Sequence, residues 1–270
     1  MLLLVFLLAS IWGSFLNVCI YRIPRNGLSV FFPYRSFCPN CKETIRFYDN
    51  IPLFSYLLLG GKCRYCRQAI SAQYFLVELG TALSLVLLFT YYQPLLELSQ
   101  ITTLVRVIIL LSLLIPVSLI DFEKYIVPND LIIVGLIVGF SVNFADSIIK
   151  RDFLVLGQHI LCGLSAGLGL QSIAIFGKLT LGRTAMGFGD VKLAVVLGLF
   201  LGQWQSLILV LMIASTSGAI IGTIALIWRR GNDRNRIPFA PFLSFSAMID
   251  LVWHEQIWST YLGLIIGWTV

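Results

Sequence analysis

Long stretches of this chain carry no formal charge, and that constrains its fold more than any other feature. Residues 2–21, 79–96, 107–120, 131–145, 153–177 and 193–228 contain no Lys, Arg, Asp or Glu. The apolar residues in these runs are continuous rather than alternating. They suit helices and not the strands of a membrane barrel. A bilayer core of about 30 Å takes about 20 apolar residues per helix. The run 193–228 is too long for one crossing. It is expected to break at Gly202-Gln203-Trp204-Gln205, leaving a short helix near 191–202 and a full one near 206–228. Charged residues make up only 12% of the chain, against the roughly 25% of soluble domains. A soluble globule, a coiled coil and a disordered chain are excluded on that ground. The fold class is an all-α polytopic membrane protein with about eight transmembrane helices.

The charges that exist are concentrated. Segment 22–74 holds Arg22, Arg25, Arg35, Lys42, Arg46, Lys62, Arg64 and Arg67 against Glu43 and Asp49, which accounts for the whole net charge of +6. Loops rich in Lys and Arg stay in the cytoplasm. Alternating spans then put 121–130, 178–190 and 229–240 on the same side, with Lys124, Lys178, Arg183, Arg229, Arg230, Arg234 and Arg236. The other side keeps Arg106, Lys150 and Arg151. This topology sets the N-terminus outside and makes 2–21 a retained first span, because no basic stretch precedes it. The basic loop points to anionic membrane lipid as a partner rather than to nucleic acid.

That loop carries four of the six cysteines, as Cys38-Pro-Asn-Cys41 and Cys63-Arg-Tyr-Cys66. Each Cys-x-x-Cys turn lets two thiolates reach one ion, and two turns complete a tetrahedral site suited to structural zinc. Two disulfides or two redox-active pairs are the alternatives, and a cytoplasmic loop disfavours stable disulfides. Cys19 and Cys162 lie in apolar runs and read as small hydrophobes. Three segments follow from this: a first transmembrane helix at 1–21, a four-cysteine module at 22–74 and a membrane core at 75–270.

Two acids stand at span ends. Asp121 closes the run 107–120, and Asp190 ends Met186-Gly187-Phe188-Gly189-Asp190. Ionisable groups at bilayer depth are functional candidates, and Gly187 and Gly189 permit close backbone or substrate approach. Each aspartate taken alone also reads as a boundary residue, and Asp190 suits a helix N-cap. Taken together they suit peptide hydrolysis, since two adjoining carboxylates share a proton and can divide the roles of base and acid. Glu123, Asp130, Asp146 and Asp152 read as solvated boundary acids. His159 and His254 read as packed or interfacial histidines. No Ser/His/Asp arrangement, His-Glu-x-x-His or phosphate-binding loop is evident.

The ordered set of motifs resembles the type IV prepilin peptidases, membrane aspartyl proteases of the Gly-x-Gly-Asp group. It runs from Gly13-Ser14-Phe15-Leu16-Asn17-Val18 and Tyr21-Arg22-Ile23-Pro24 through Cys38-Pro39-Asn40-Cys41, Asp49-Asn50-Ile51-Pro52-Leu53, Gly61-Lys62-Cys63-Arg64-Tyr65-Cys66 and Val77-Glu78-Leu79. The Asp121 segment, Met186 to Lys192 and Pro238-Phe239-Ala240-Pro241-Phe242 complete it. Phe75 stands where family members often have Pro. The resemblance implies removal of a basic leader from prepilins or pseudopilins at the cytoplasmic face of the bacterial inner membrane. The cut falls between Gly and a hydrophobic residue such as Phe. It further implies Asp121 and Asp190 as the catalytic pair, and N-methylation of the new N-terminus with S-adenosylmethionine. Because the loop is cationic, a cationic leader is expected to meet Glu43, Asp49, Glu123 or anionic lipid. A proton-relaying transporter and a non-catalytic assembly scaffold are the rival readings, and they fail on the edge position of the acids and on the joint motif set.

Overall fold

The computed structural model describes residues 1–25, 27–92, 98–182, 186–228 and 237–266. Among these the chain is helical throughout, with isolated bridges and no strand. Its helices are α1 (Leu2–Arg22), α2 (Phe54–Leu58), α3 (Ala72–Tyr92), α4 (Leu98–Lys124), α5 (Asn129–Lys150), α6 (Phe153–Leu181), α7 (Phe188–Leu201), α8 (Trp204–Trp228) and α9 (Ala240–Ile266). Six of them, α1, α3, α4, α5, α6 and α8, are long and apolar enough to cross a membrane. Helix α7, at 14 residues, is short for that task. Helix α9 carries Asp250, His254 and Glu255 and is kinked at Trp253. Six spanning helices stand against the about eight expected, with α7 short and α9 kinked beside them. The long apolar run divides at Gly202-Gln203, with α8 starting two residues earlier than its pattern suggested.

The chain forms two compact units, Met1–Gln100 and Ile101–Val270. In the first, α1 and α3 pack antiparallel. Gly13 makes this possible, since a Cβ there would lie 2.8 Å from the Glu78 Cα. Small residues drive such close approach where lipid removes the hydrophobic incentive to associate. One turn further along, the Asn17 amide donates to the Tyr74 carbonyl at 3.0 Å. Arg22 ends α1 buried, its guanidinium donating to the carbonyls of Ser29, Val30, Pro33 and Arg35. One side chain thereby orders the loop that precedes the first cysteine pair.

In the second unit α7 is the buried centre, packed by α5, α6, α8 and α9. Its approach to α6 is set by glycines. A Cβ on Gly198 would lie 2.6 Å from the Cys162 carbonyl oxygen, and one on Gly167 would lie 2.5 Å from the Val195 side chain. Fourteen residues rise about 21 Å, so α7 stops short of a full crossing. Its terminal carbonyls then need partners. The Leu199 carbonyl accepts from Asn143 Nδ2 at 2.7 Å and lies 2.8 Å from His159 Nδ1, while Gly202 turns the chain at φ +70°.

One boundary acid departs from its expected setting. Asp146 is fully buried, not solvated. It accepts from Thr102 Oγ1 and Arg106, each at 2.8 Å, and from Lys150 at 2.9 Å. Burial of a carboxylate is tolerated because two cations and a hydroxyl satisfy it. Asp152 caps the start of α6 through the Leu154 N–H. Arg183 and the basic stretch 229–236 lie outside the described residues.

Candidate active site

Asp121 sits in the last turn of α4. The helix ends when Tyr125, at φ +58°, returns its N–H to the Asp121 carbonyl at 2.8 Å. Val127 and Pro128 then lead into α5. Asp190 lies in the first turn of α7, where Gly187 is the cap residue. The Asp190 N–H donates to the Gly187 carbonyl at 3.1 Å. Asp190 is therefore not the N-cap itself, and its carboxylate is free of that role while still facing the positive end of a helix.

Two contacts, one of them with its lysine steadied inside α7, hold that helix against the turn that follows Asp121. A Cβ on Gly189 would lie 2.9 Å from the Val127 Cβ, so glycine is what lets the two backbones close. Lys192 Nζ donates to Asn129 Oδ1 at 2.8 Å and lies 4.8 Å from the Phe188 ring centre. Asp190 adjoins Gly189 and Asp121 stands six positions before Val127, so the Gly189–Val127 contact gathers both acids where α7 meets the end of α4. Both are buried, at 8% and 5% exposure, which removes the water that would screen one carboxylate from the other. Gly187 has an ordinary extended backbone, and a Cβ there would lie 3.4 Å from Asp190 Oδ2, in plain van der Waals contact.

A third strand of chain enters the site. The Ala240 N–H, at the start of α9, donates to Asp121 Oδ2 at 3.1 Å. Asp121 thus satisfies one of the orphan amides of that helix. The sequence marked this segment through its two prolines, Pro238 and Pro241, but gave it no partner. Val127, Asn129 and Lys192 were likewise without assigned roles. An apolar contact and a long-range amide bond leave no local spacing to read.

The four thiols form a separate centre in the first unit. Cys38, Cys41, Cys63 and Cys66 place their sulfurs within 4.8 Å of one another, and Cys38 and Cys66 lie 3.9 Å apart. Thiolates about 2.3 Å from a tetrahedral zinc stand about 3.8 Å apart. All four cysteines are free, without a sulfur–sulfur bond. The cluster is compatible with zinc binding. Two matching turns build it: the Cys38 N–H donates to the Glu43 carbonyl and the Cys63 N–H to that of Gln68, each at 2.9 Å. Lys42 and Arg67, at φ +61° and +58°, close the two turns. Hydrogen bonding by Gln68 and the Asn40 amide lowers the Cys66 thiol to about 6.

Other candidates resolve differently. Asp49 is held by Arg64 in a two-pronged ion pair at 2.5 and 2.7 Å, which keeps its carboxyl below the usual range and withdraws it from the acids facing a leader. Glu43 and Glu123 are exposed. Ser206, His254 and Asp250 do come together, contrary to expectation, but the hydroxyl at 3.1 Å and the carboxylate at 2.7 Å meet the same Nδ1. A nucleophilic triad needs both ring nitrogens, so this group is structural.

Fold and site together define a polytopic helical membrane protein with two converging aspartates and a four-cysteine module. The description "Bacterial Peptidase A24 N-terminal domain" matches residues 7–92, and "Type IV leader peptidase family" matches 108–223. A prepilin leader peptidase/N-methyltransferase of Aeromonas salmonicida (strain A449) is 35% identical over 97% of this chain and 94% of its own length. The protein of that name from Pseudomonas aeruginosa is 36% identical over 95% and 91%, and that from Legionella pneumophila 34% over 93% and 91%. No solved structure matches the chain. The chain belongs to the type IV leader peptidase family.

Proposed function

We propose that this protein is a membrane aspartyl endopeptidase that removes the basic leader from prepilins or pseudopilins and then N-methylates the new N-terminus. The observation that carries the reading is the pairing of buried Asp121 and Asp190, from the end of α4 and the start of α7. One carboxylate takes a proton from water as it attacks the scissile carbonyl. Its protonated partner gives a proton to the carbonyl oxygen. Collapse of the tetrahedral species expels the mature N-terminal amine, which takes up a proton. Gly187, with no side chain, lets an extended substrate backbone come close to Asp190, while Gly189 lets α7 close on Val127.

The functional segments are the first span at 1–21, the four-cysteine module at 22–74 and the membrane core at 75–270. Cys38, Cys41, Cys63 and Cys66 would hold a structural zinc, which supplies folding energy to a module too small for its own core. S-adenosylmethionine would supply the methyl group, and no residue is assigned to hold it. The Lys/Arg asymmetry supports an active site facing the cytoplasm of the bacterial inner membrane, with membrane lipid and pilin-type substrates as partners and no nucleic acid.

Incubating purified protein with a prepilin and S-adenosylmethionine, followed by intact-mass spectrometry, tests both steps at once. Leader loss and a methyl gain on the mature chain are expected. An uncleaved prepilin under conditions that preserve the fold would overturn the reading.

A further inference from the structure

The segment Ile51–Leu59 joins the two cysteine pairs, yet it is fastened to a membrane helix. The Leu53 N–H donates to Glu78 Oε2 at 2.8 Å, and both residues are buried. Glu78 is six positions into α3, about 9 Å along the helix from Ala72. It packs against Gly13, nine positions and about 13 Å back from the end of α1 at Arg22. Leu53 is thus fastened part-way along two antiparallel helices, each long and apolar enough to cross a membrane, and not at their ends.

The backbone there is built for such a place. Irregular chain survives at membrane depth only when its polar groups are satisfied internally. The Ile51 N–H donates to Ser55 Oγ, the Phe54 N–H to the Pro52 carbonyl at 2.7 Å, and the Ser55 and Leu57 N–H groups to the carbonyls of Ile51 and Leu53. Pro52 has no N–H to satisfy. Leu53 holds φ +64° and ψ −53° to close the tight turn at Pro52. The inward side of α2 is accounted for as well: Ser55 Oγ donates to the Tyr48 carbonyl, and Tyr56 packs on Phe75 with ring centres 5.4 Å apart.

Among the described residues the outward side is left largely uncovered. Phe54, Leu57 and Leu58, at positions i, i+3 and i+4, share one face and are 57%, 65% and 85% exposed. Exposed Lys62 follows four residues on, in the segment that bears the whole net positive charge. We infer that Ile51–Leu59 is a re-entrant foot of the four-cysteine module, with Phe54, Leu57 and Leu58 set among the acyl chains of an anionic bilayer. An apolar face of this kind suits the headgroup–acyl boundary where interfacial helices lie, and the surrounding Lys and Arg meet the headgroups.

The full-length protein in nanodiscs of phosphatidylethanolamine and phosphatidylglycerol, with p-benzoylphenylalanine placed at position 58 or at position 43, tests this by photo-cross-linking and mass spectrometry. Phospholipid adducts at 58 are expected to exceed those at 43 by about tenfold, as a segment inside lipid rather than water would give. Glu78→Leu should lower the adduct yield at 58 several-fold, while Glu78→Gln, which keeps an acceptor, should not. Zinc content read alongside separates release of the foot from loss of the module. Equal yields at the two positions, or a dominant cross-link to a second protein chain at 58, would overturn the inference. The readout needs no leader cleavage, so its failure leaves the peptidase reading untouched.

Discussion

Two carboxylates that share a proton act as one group, and single substitutions should show it. Asp121→Asn and Asp190→Asn are each expected to abolish leader cleavage almost completely, with the double variant little worse, because groups acting as a unit are non-additive. Asp→Glu at either position displaces the carboxylate by about 1 Å or more, enough to cost roughly 100-fold. Both are measured as cleavage rate on a purified prepilin. Substantial cleavage by Asp190→Asn would remove the shared-proton mechanism. The two aspartates were legible in the sequence as acids at span ends, one beside glycines, and the motif resemblance tied them together. Asp146 shows the limit of that reading. It too ends an apolar run, but Arg106 sits 40 positions away and Lys150 four, and a long-range ion pair has no signature in local spacing. Ser206 was hidden for the same reason, 48 positions from His254, whereas Asp250 and His254 stand at a readable i,i+4 spacing.

Between elements, the decisive contact is that of Gly189 on Val127. Adding a methyl at 189 pushes α7 off the turn after Asp121, so Gly189→Ala should lower cleavage at least about tenfold in folded protein. Val127→Ala in the same chain should restore part of it, because the Val127 side chain is what the new methyl meets. A cleavage defect unaltered by Val127→Ala would show that packing at this contact does not set the site. At the other end of α7, Gly202 holds φ +70°, and a Cβ there would lie 2.2 Å from the His159 ring. Gly202→Ala is expected to destabilise the protein by about 1–3 kcal/mol, seen as a lower Tm in detergent. The break between α7 and α8 was readable because an apolar run too long for one span contained a glycine next to polar residues. The capping of α7 by Asn143 and His159 was not, since the acceptor is a main-chain carbonyl that any residue at 199 would offer.

For the whole molecule, the four cysteines fall in one compact unit and Asp121 and Asp190 in the other, so the proposed zinc and the proposed hydrolysis can be tested apart. Serine at Cys38, Cys41, Cys63 or Cys66 should lower zinc content and expose 22–74 to protease, because three thiolates leave an open coordination position. Asp121→Asn and Asp190→Asn should retain zinc and still methylate a pre-cleaved pilin. Elemental analysis and limited proteolysis check the first set, and methyl transfer to synthetic mature pilin checks the second. Absence of stoichiometric metal from reduced, folded protein would refute a structural zinc. Reporters in 22–74 and 229–236 should read the cytoplasm and one at 97–100 the opposite side. The hydrogen bond from Ala240 to Asp121 has a different kind of consequence, one for genetics. Its donor is the peptide backbone, so alanine, cysteine or any other ordinary side chain at 240 supplies the same N–H. Saturation mutagenesis would report that position only through the bulk it admits. Proline, or an ester in place of the amide, is the change that deletes the bond, and a deep mutational map read without those two would leave one of the few groups touching Asp121 off its list.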